Sequence, residues 1–226
     1  MIRAGRAGIN GNICRDPEAP VRMGKDRVEV DGRPLAAADK IYVMLNKPRG
    51  VVTTAADEEN RRTVYDFLGK EIPWVAPVGR LDKASEGLLL LTNDSEWAAR
   101  VLAPETHLDK TYHAQISSVA DDGLIAAIVK GVRTREGERL SAKAAGILRG
   151  GKKNTWLEIV LDEGKNRHIR RMLEGLGIEV LRLVRVAIGP LVLGELRKGT
   201  WRKLAAAEKM ALDRAMSRQH SEKGLA

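Results

Sequence analysis

Four consecutive leucines, Leu88, Leu89, Leu90 and Leu91, limit the fold of this chain more than any other feature. An apolar run of this length leaves no side for water, so it reads as a strand buried on both faces. The residues before it, Val78-Gly79-Arg80-Leu81-Asp82-Lys83-Ala84-Ser85-Glu86-Gly87, are mostly turn formers and charges. A loop that feeds straight into a buried strand is held rigidly at the rim of a core, where folds position reactive groups. Here that arrangement sets the Asp82 carboxylate between Arg80 and the leucines. Taken alone, Arg-Leu-Asp reads as an ordinary turn, because Asp and Gly are frequent turn residues.

The rest of the chain mixes strands and helices without a strict alternation. Asn10-Gly11 predicts a tight hairpin turn, and residues 26–32 alternate like a half-buried strand. Residues 34–40 read as a linker. Residues 41–52 predict a strand, a Pro48-Arg49-Gly50 turn and a second strand start, and residues 63–68 a short helix. Asn93-Asp94-Ser95 is a helix N-cap cluster, and Pro104 stops the helix that follows. Strands are expected over 110–116, 155–161 and 180–188, and helices over 121–130, 166–176 and 201–219. That pattern gives an α+β fold with a mixed, mainly antiparallel central sheet flanked by helices. The expected organisation is a small basic unit over 1–38, a catalytic domain over 39–206, and a C-terminal helix and tail over 207–226.

Lys and Arg outnumber Asp and Glu, giving a formal net charge of +9. Such an excess favours a polyanionic partner, because each phosphate contact releases a counterion. Cys14 is the single cysteine, so an intramolecular disulfide and a cysteine-rich zinc site are both excluded. His107, His113, His168 and His220 show no metal-ligand spacing. No run approaches the roughly 18 apolar residues of a membrane span, and the N-terminus has no apolar signal core. The expected setting is the cytoplasm of a bacterium-like cell, or an organelle.

The segment Gly79-Arg80-Leu81-Asp82 with its continuation Glu86-Gly87-Leu88-Leu89-Leu90-Leu91-Thr92-Asn93-Asp94 resembles the signature motif of RsuA-type ribosomal RNA pseudouridine synthases. The resemblance spans roughly residues 40 to 205, with the family's motifs in order. It implies the pseudouridine synthase fold with a catalytic cleft, an isomerase acting on ribosomal RNA, no cofactor and no metal. The partner would be a structured stem-loop or an assembling ribosomal subunit, met by a monomer. Asp82 matches the catalytic aspartate, acting at the uracil ring or the ribose carbon. Tyr112, in Lys110-Thr111-Tyr112, matches a tyrosine that stacks on the target base. Arg170, in Gly164-Lys165-Asn166-Arg167-His168-Ile169-Arg170, matches the arginine that pairs with the aspartate. A carboxylate that must stay ionised in a partly buried site needs such a partner, and the planar guanidinium suits it.

The same resemblance assigns substrate contacts. Arg80 would hold the extruded nucleotide or fill the gap it leaves, since a stacked base is out of reach of the chemistry; a phosphate contact or a surface ion pair is the equal alternative. Leu183 would pack under the uracil, with Arg185 supporting the site. Lys47 and Arg49, in the opening Asn46-Lys47-Pro48-Arg49-Gly50 segment, are expected phosphate contacts at the cleft rim. Arg167 belongs to the same basic motif. His168 stands where the family usually has Gln, which would alter a contact to RNA. Without the resemblance, Arg167, Arg170 and Arg171 read as one basic helix face.

Residues 2–32 resemble the second half of an S4-like RNA-binding unit. Either the start lies upstream or the unit is a remnant, and a basic β-arm without a separate role is the plain alternative. Two further readings remain at this level: an RNA-binding or ribosome-assembly protein that keeps the fold without catalysis, and a transfer RNA synthase of the same fold.

Overall fold

The computed structural model describes all residues except 23–24, 36–38, 55–56, 58, 70 and 223–226. Residues 36–38 of the expected linker, and the last four of the expected tail, thus lie outside the described residues. The chain forms two compact units, Met1–Asp39 and Lys40–Ala226. The first is a small antiparallel sheet of β1 (Ala7–Ile9), β2 (Asn12–Cys14), β3 (Val28–Val30) and β4 (Arg33–Pro34), in the order β2-β1-β3-β4. Asn10 and Gly11 both have positive φ (52° and 82°), as a two-residue hairpin of the right twist requires. Asp31 and Gly32 repeat the device between β3 and β4, with φ of 51° and 73°.

The second unit carries β5 (Tyr42–Lys47), β6 (Ala76–Pro77), β7 (Glu86–Thr92), α1 (Ser95–Leu102), β8 (Lys110–Ile116) and α2 (Asp122–Lys130). It continues with β9 (Val132–Arg133), β10 (Arg139–Leu140), β11 (Ala144–Gly150), β12 (Thr155–Leu161), α3 (His168–Glu174), β13 (Val180–Ile188), β14 (Leu191–Val192), β15 (Trp201–Lys203) and α4 (Ala206–Glu222). Among the described residues, its main sheet runs β11-β12-β8-β13-β7-β5-β15, with β14 on β13 and β6 on β7. Neighbours are antiparallel except β7 and β13. The fold is α+β and mainly antiparallel, as the sequence predicts.

The leucine run is β7, and all seven of its residues are buried. Leu88 and Leu90 pack with Met44, Trp97 and Leu212 of α4 on one side, and Leu89 and Leu91 with Val43 and Leu45 on the other. Each fully buried leucine contributes roughly 2 kcal/mol, so β7 is a firm anchor. Trp97 is fully buried and satisfies its indole N–H on Asp213 at 2.9 Å. Asp94 caps α1 by accepting from the Trp97 amide, and Asp121 caps α2 by accepting from Leu124.

Two expected helices begin later than their patterns predict. The helix expected from 166 starts at His168, because Arg167 holds left-handed backbone (φ 48°, ψ 32°). The helix expected from 201 starts at Ala206, because Trp201–Lys203 pairs with β5, Trp201 opposite Leu45. Edge pairing and a half-buried indole outweigh local helix propensity there.

The parallel contact of β7 with β13 involves two register pairs, Val184 with Glu86 and Arg185 with Gly87. It joins a half-sheet of β5, β6, β7 and β15 to one of β8, β11, β12 and β13. Gly87 (φ 103°) is required at this seam. A Cβ there would lie 2.2 Å from the Arg185 carbonyl oxygen. Among the described residues, four arginines reach across the seam. Arg49 bonds the Leu181 carbonyl, Arg170 the Ala84 carbonyl, Arg182 the Glu86 carboxylate and Arg185 the Leu88 carbonyl.

Candidate active site

Asp82 sits in the loop between β6 and β7, and its backbone is fixed on every side. The Leu81 carbonyl accepts from Thr53 (2.8 Å), and the Asp82 carbonyl from the Ser85 amide (2.9 Å) and Lys47 (3.1 Å). The Lys83 carbonyl accepts from the Gly50 amide (2.7 Å), Ala84 from Arg170 (3.0 Å) and Ser85 from Lys47 (2.9 Å). Five consecutive carbonyls are therefore held, which pins the loop without using the Asp82 side chain. Among the described residues, no donor is bonded to its carboxylate. A rigid loop with an uncommitted carboxylate is pre-organised for a substrate.

Lys47 departs from the expectation of a phosphate contact at the rim. Its side chain is wholly buried, and its ammonium donates to the carbonyls of Pro48, Asp82 and Ser85. Burial lowers its pKa from 10.5 to about 8, helped by Arg185 and opposed by the charges of Asp82 and Glu86. The strand pattern of β5 accounts for the correction. With Val43 and Leu45 it shares one face of a period-two strand that is buried on both faces, so Lys47 follows them into the core. Arg49 is exposed, and its guanidinium reaches the Leu181 carbonyl at 3.3 Å.

The loop borders a cleft of about 530 Å³, a size ordinary for a ligand site. It is lined by Arg80 and Asp82 of the β6–β7 loop, by Tyr112 of β8 with Leu183 and Arg185 of β13, and by Lys165, Arg167 and His168 at the entry to α3. Tyr112 and Arg185 are direct cross-strand partners on β8 and β13, so their side chains share a face of the sheet. Arg185 is buried and donates through Nε to the Leu88 carbonyl at 2.8 Å, while its Nη2 has no protein partner. An unsatisfied buried donor of this kind, on a side chain that lines the cleft, is a group that a bound ligand can complete.

Arg167, Arg170 and Arg171 do not form one basic helix face. Arg167 precedes α3 and lies exposed on the cleft, and its left-handed backbone is a strained conformation for a non-glycine residue. Arg171 turns to Glu136 and Glu138, at 3.3 and 2.7 Å. Arg170 turns inward, bonding the Val180 and Ala84 carbonyls at 2.9 and 3.0 Å. The guanidinium fork expected on the Asp82 carboxylate is thus split between two backbone carbonyls, one in the Asp82 loop and one at the start of β13. Burial lowers the Arg170 pKa, Arg167 and Arg49 act in the same direction, and the Asp82 charge opposes them.

His168 is buried, with Nε2 3.0 Å from the Ser141 carbonyl. Burial depresses its pKa below 6.5, against the opposing effects of Glu163 and the Ser141 bond. The ring packs into the cleft wall through Nε2, while Nδ1 has no hydrogen-bond partner among the described residues. Lys110, Ser85 and Asn166 also line the cleft and were not singled out from sequence. For Lys110 the signal was present: it stands two residues before Tyr112 on one strand, and so on the same face. Burial lowers its pKa, with Arg185 adding to that and Asp109 and Asp162 opposing.

A cleft that sets a carboxylate loop against a tyrosine, an aliphatic floor and several cations, on this sheet, defines a class. Residues 41–175 match the RNA pseudouridylate synthase family, and the chain belongs to it, on its RsuA-type branch. Members are isomerases. The chain is 37% identical over 210 residues to "Ribosomal large subunit pseudouridine synthase B" of Bacillus subtilis, covering 92% of this chain and 85% of that one. It is 39% identical over 217 residues to an "Uncharacterized RNA pseudouridine synthase" of Aquifex aeolicus, covering 96% and 87%. A solved structure described as "Crystal structure of pseudouridylate synthase" superposes with a TM-score of 0.69 at 29% identity, covering 93% of this chain and 90% of that one.

Proposed function

We propose that this enzyme converts a specific uridine of ribosomal RNA to pseudouridine, using Asp82 as nucleophile and no cofactor. The bond from ribose C1′ to uracil N1 breaks, and one from C1′ to uracil C5 forms. The C5 proton leaves and N1 gains one, so atoms and electrons balance within the nucleotide and water. The observation that carries the reading is the loop of five held carbonyls, which presents an uncommitted Asp82 carboxylate to a cleft lined by Tyr112 and Leu183. Tyr112 would stack on the extruded uracil, Leu183 and Arg185 would support it, and Arg80 and Arg167 at the exposed rim would hold its neighbours. Arg170 acts by fixing the Asp82 loop and by adding positive charge beside it.

Ribosomal RNA as the substrate rests on the names of relatives such as the Bacillus subtilis protein. The excess of cationic side chains agrees with it. A monomer acting in the cytoplasm completes the proposal. Among the described residues, no helix is long and apolar enough to cross a membrane. The test is Asp82→Asn with release of tritium from C5 of unmodified ribosomal RNA. Wild type is expected to release label, and the variant to bind RNA and release none. Equal release by both would remove Asp82 from the mechanism. No release by wild type on any ribosomal RNA would favour an RNA-binding protein without catalysis.

A further inference from the structure

On β8 the side chains alternate. Ala114 and Ile116 enter a buried cluster with Tyr112 against it, so His113 and Gln115 face the reverse of the sheet. On that reverse face the register aligns four side chains in a row across four strands. Arg149 of β11 is opposite Trp156 of β12, Trp156 is opposite Gln115, and Gln115 is opposite Arg182 of β13. The Arg149 guanidinium lies 5.2 Å from the Trp156 ring centroid, and that of Arg182 lies 5.7 Å from it. A depression of about 340 Å³ opens beside them, lined also by His113, Leu148 and Val184. Nothing in the chemistry derived above uses this surface.

Its composition points to one kind of occupant. Buried Glu86 holds Arg182 through two bonds (2.9 and 3.1 Å) and also pairs with Lys198. The Arg182 plane is thus fixed in advance over the indole, so little ordering is left to be lost on binding. The β11–β12 hairpin adds Lys152 and Lys153 at its tip. Arg149, Lys152, Lys153, Arg182 and Lys198 face two carboxylates here, Glu86 and Glu158. An indole with two guanidinium groups near its ring, on a four-stranded face rich in cations, is suited to unpaired nucleotides. Bases stack on aromatic rings and on guanidinium planes, and their phosphates need cations.

We propose that the Trp156 face of the half-sheet is a second RNA-binding surface, which holds unpaired nucleotides of the substrate RNA away from the catalytic cleft. The proposal rests on RNA as the substrate class and is independent of the role of Asp82. It is tested by the affinity of Trp156→Ala, Trp156→Phe, Arg149→Ala and a Lys152→Ala, Lys153→Ala double variant for a single-stranded oligouridine and for a ribosomal RNA transcript. Loss of one stacking residue weakens single-strand binding about tenfold, so Trp156→Ala and Arg149→Ala should each lose about that factor. Trp156→Phe should stay within about threefold, since a ring remains. The double variant should flatten the slope of log affinity against log salt by about 1.4, two phosphates at about 0.7 each. Turnover at saturating transcript should match wild type in all four, whereas failure of the cleft assignment would show as turnover unaffected by Asp82→Asn.

Unchanged affinity in both Trp156→Ala and Arg149→Ala would overturn the proposal. If Trp156→Ala does not fold, photocrosslinking of wild type to RNA carrying 4-thiouridine decides the matter. Crosslinked peptides from residues 144–161 support the surface, and crosslinks confined to cleft peptides overturn it. Occupation of the surface by a protein, retained after ribonuclease treatment, would also overturn it.

Discussion

Replacing Lys47 by Met exposes the cost and the purpose of a charge buried under the catalytic loop. Met keeps the unbranched stem and removes the three donors that hold Pro48, Asp82 and Ser85. All three carbonyls lose the lysine; the Asp82 carbonyl keeps the Ser85 amide, so the other two are left unsatisfied, at about 1–3 kcal/mol each. Against this, the ammonium itself is held at a cost. Its pKa falls from 10.5 to about 8 in the folded chain, and at 1.36 kcal/mol per pH unit this amounts to roughly 3 kcal/mol. The two terms nearly cancel at pH 7, where lysine is charged in both states. Between about pH 8 and 10.5 the unfolded chain carries the proton and the folded chain does not. Wild-type stability therefore gains from this residue as pH rises through that window, and Lys47→Met gains nothing. Urea unfolding of both proteins at pH 7, 9 and 10 should show the gap between them widening by up to roughly 3 kcal/mol in favour of wild type. A gap constant from pH 7 to 10 would refute the reasoning. With its loop freed, Lys47→Met should also lose about 100-fold in rate, the penalty for displacing a reacting group by about 1 Å.

Arg170→Ala should lower the rate about 100-fold and RNA affinity no more than about threefold, because its fork fixes the Asp82 loop; a loss confined to affinity would make it a phosphate contact. Gly87→Ala places a methyl 2.2 Å from the Arg185 carbonyl oxygen at φ 103°. It should cost about 2–4 kcal/mol and lower the melting temperature by about 5–15 °C in a calorimetric scan. His168→Gln should match wild type at pH 7 and exceed it at pH 5. The buried imidazole stays neutral below 6.5 while the unfolded chain takes up a proton, so wild type loses stability as pH falls through that range. Urea midpoints at the two pH values check this, and equal losses in both proteins would contradict it.

The fold class was legible because β7 and the capped helices α1 and α2 signal locally. Leu88 to Leu91 allow no exposed face, and Asp94 and Asp121 mark their helices by side-chain chemistry. The cleft residues Asp82, Tyr112, Leu183 and Arg185 were legible through motif resemblance, and the structure places them around one cavity. The environment of each side chain was not legible. Whether Lys47 faces phosphate or carbonyls depends on which side of β5 meets the loop at residues 81–85, about 35 positions away in sequence. The inward turn of Arg170 depends on Arg167 taking left-handed backbone, which shortens α3 and re-aims its first turn. Trp201–Lys203 lies beside an alanine-rich helix in sequence, and only the free edge of β5 makes it a strand.

The arginine-stitched seam between β7 and β13 makes this enzyme sensitive to the chemical identity of a denaturant. Asp82 belongs to one half-sheet and Tyr112, Leu183 and Arg185 to the other, so the site exists only while the halves are docked. Two backbone register pairs, an apolar cluster shared by Met44, Leu88, Leu90 and Ile188, and the side chains of Arg49, Arg170, Arg182 and Arg185 hold that docking. Guanidinium chloride supplies free copies of the very group that closes the seam and competes for the same carbonyls and for Glu86. Urea, being uncharged, competes less well for the carboxylate. Low guanidinium should therefore abolish turnover while far-ultraviolet circular dichroism is still native, and urea of equal denaturing strength should not. Parallel loss of activity and secondary structure in both denaturants would mean the halves part only on global unfolding.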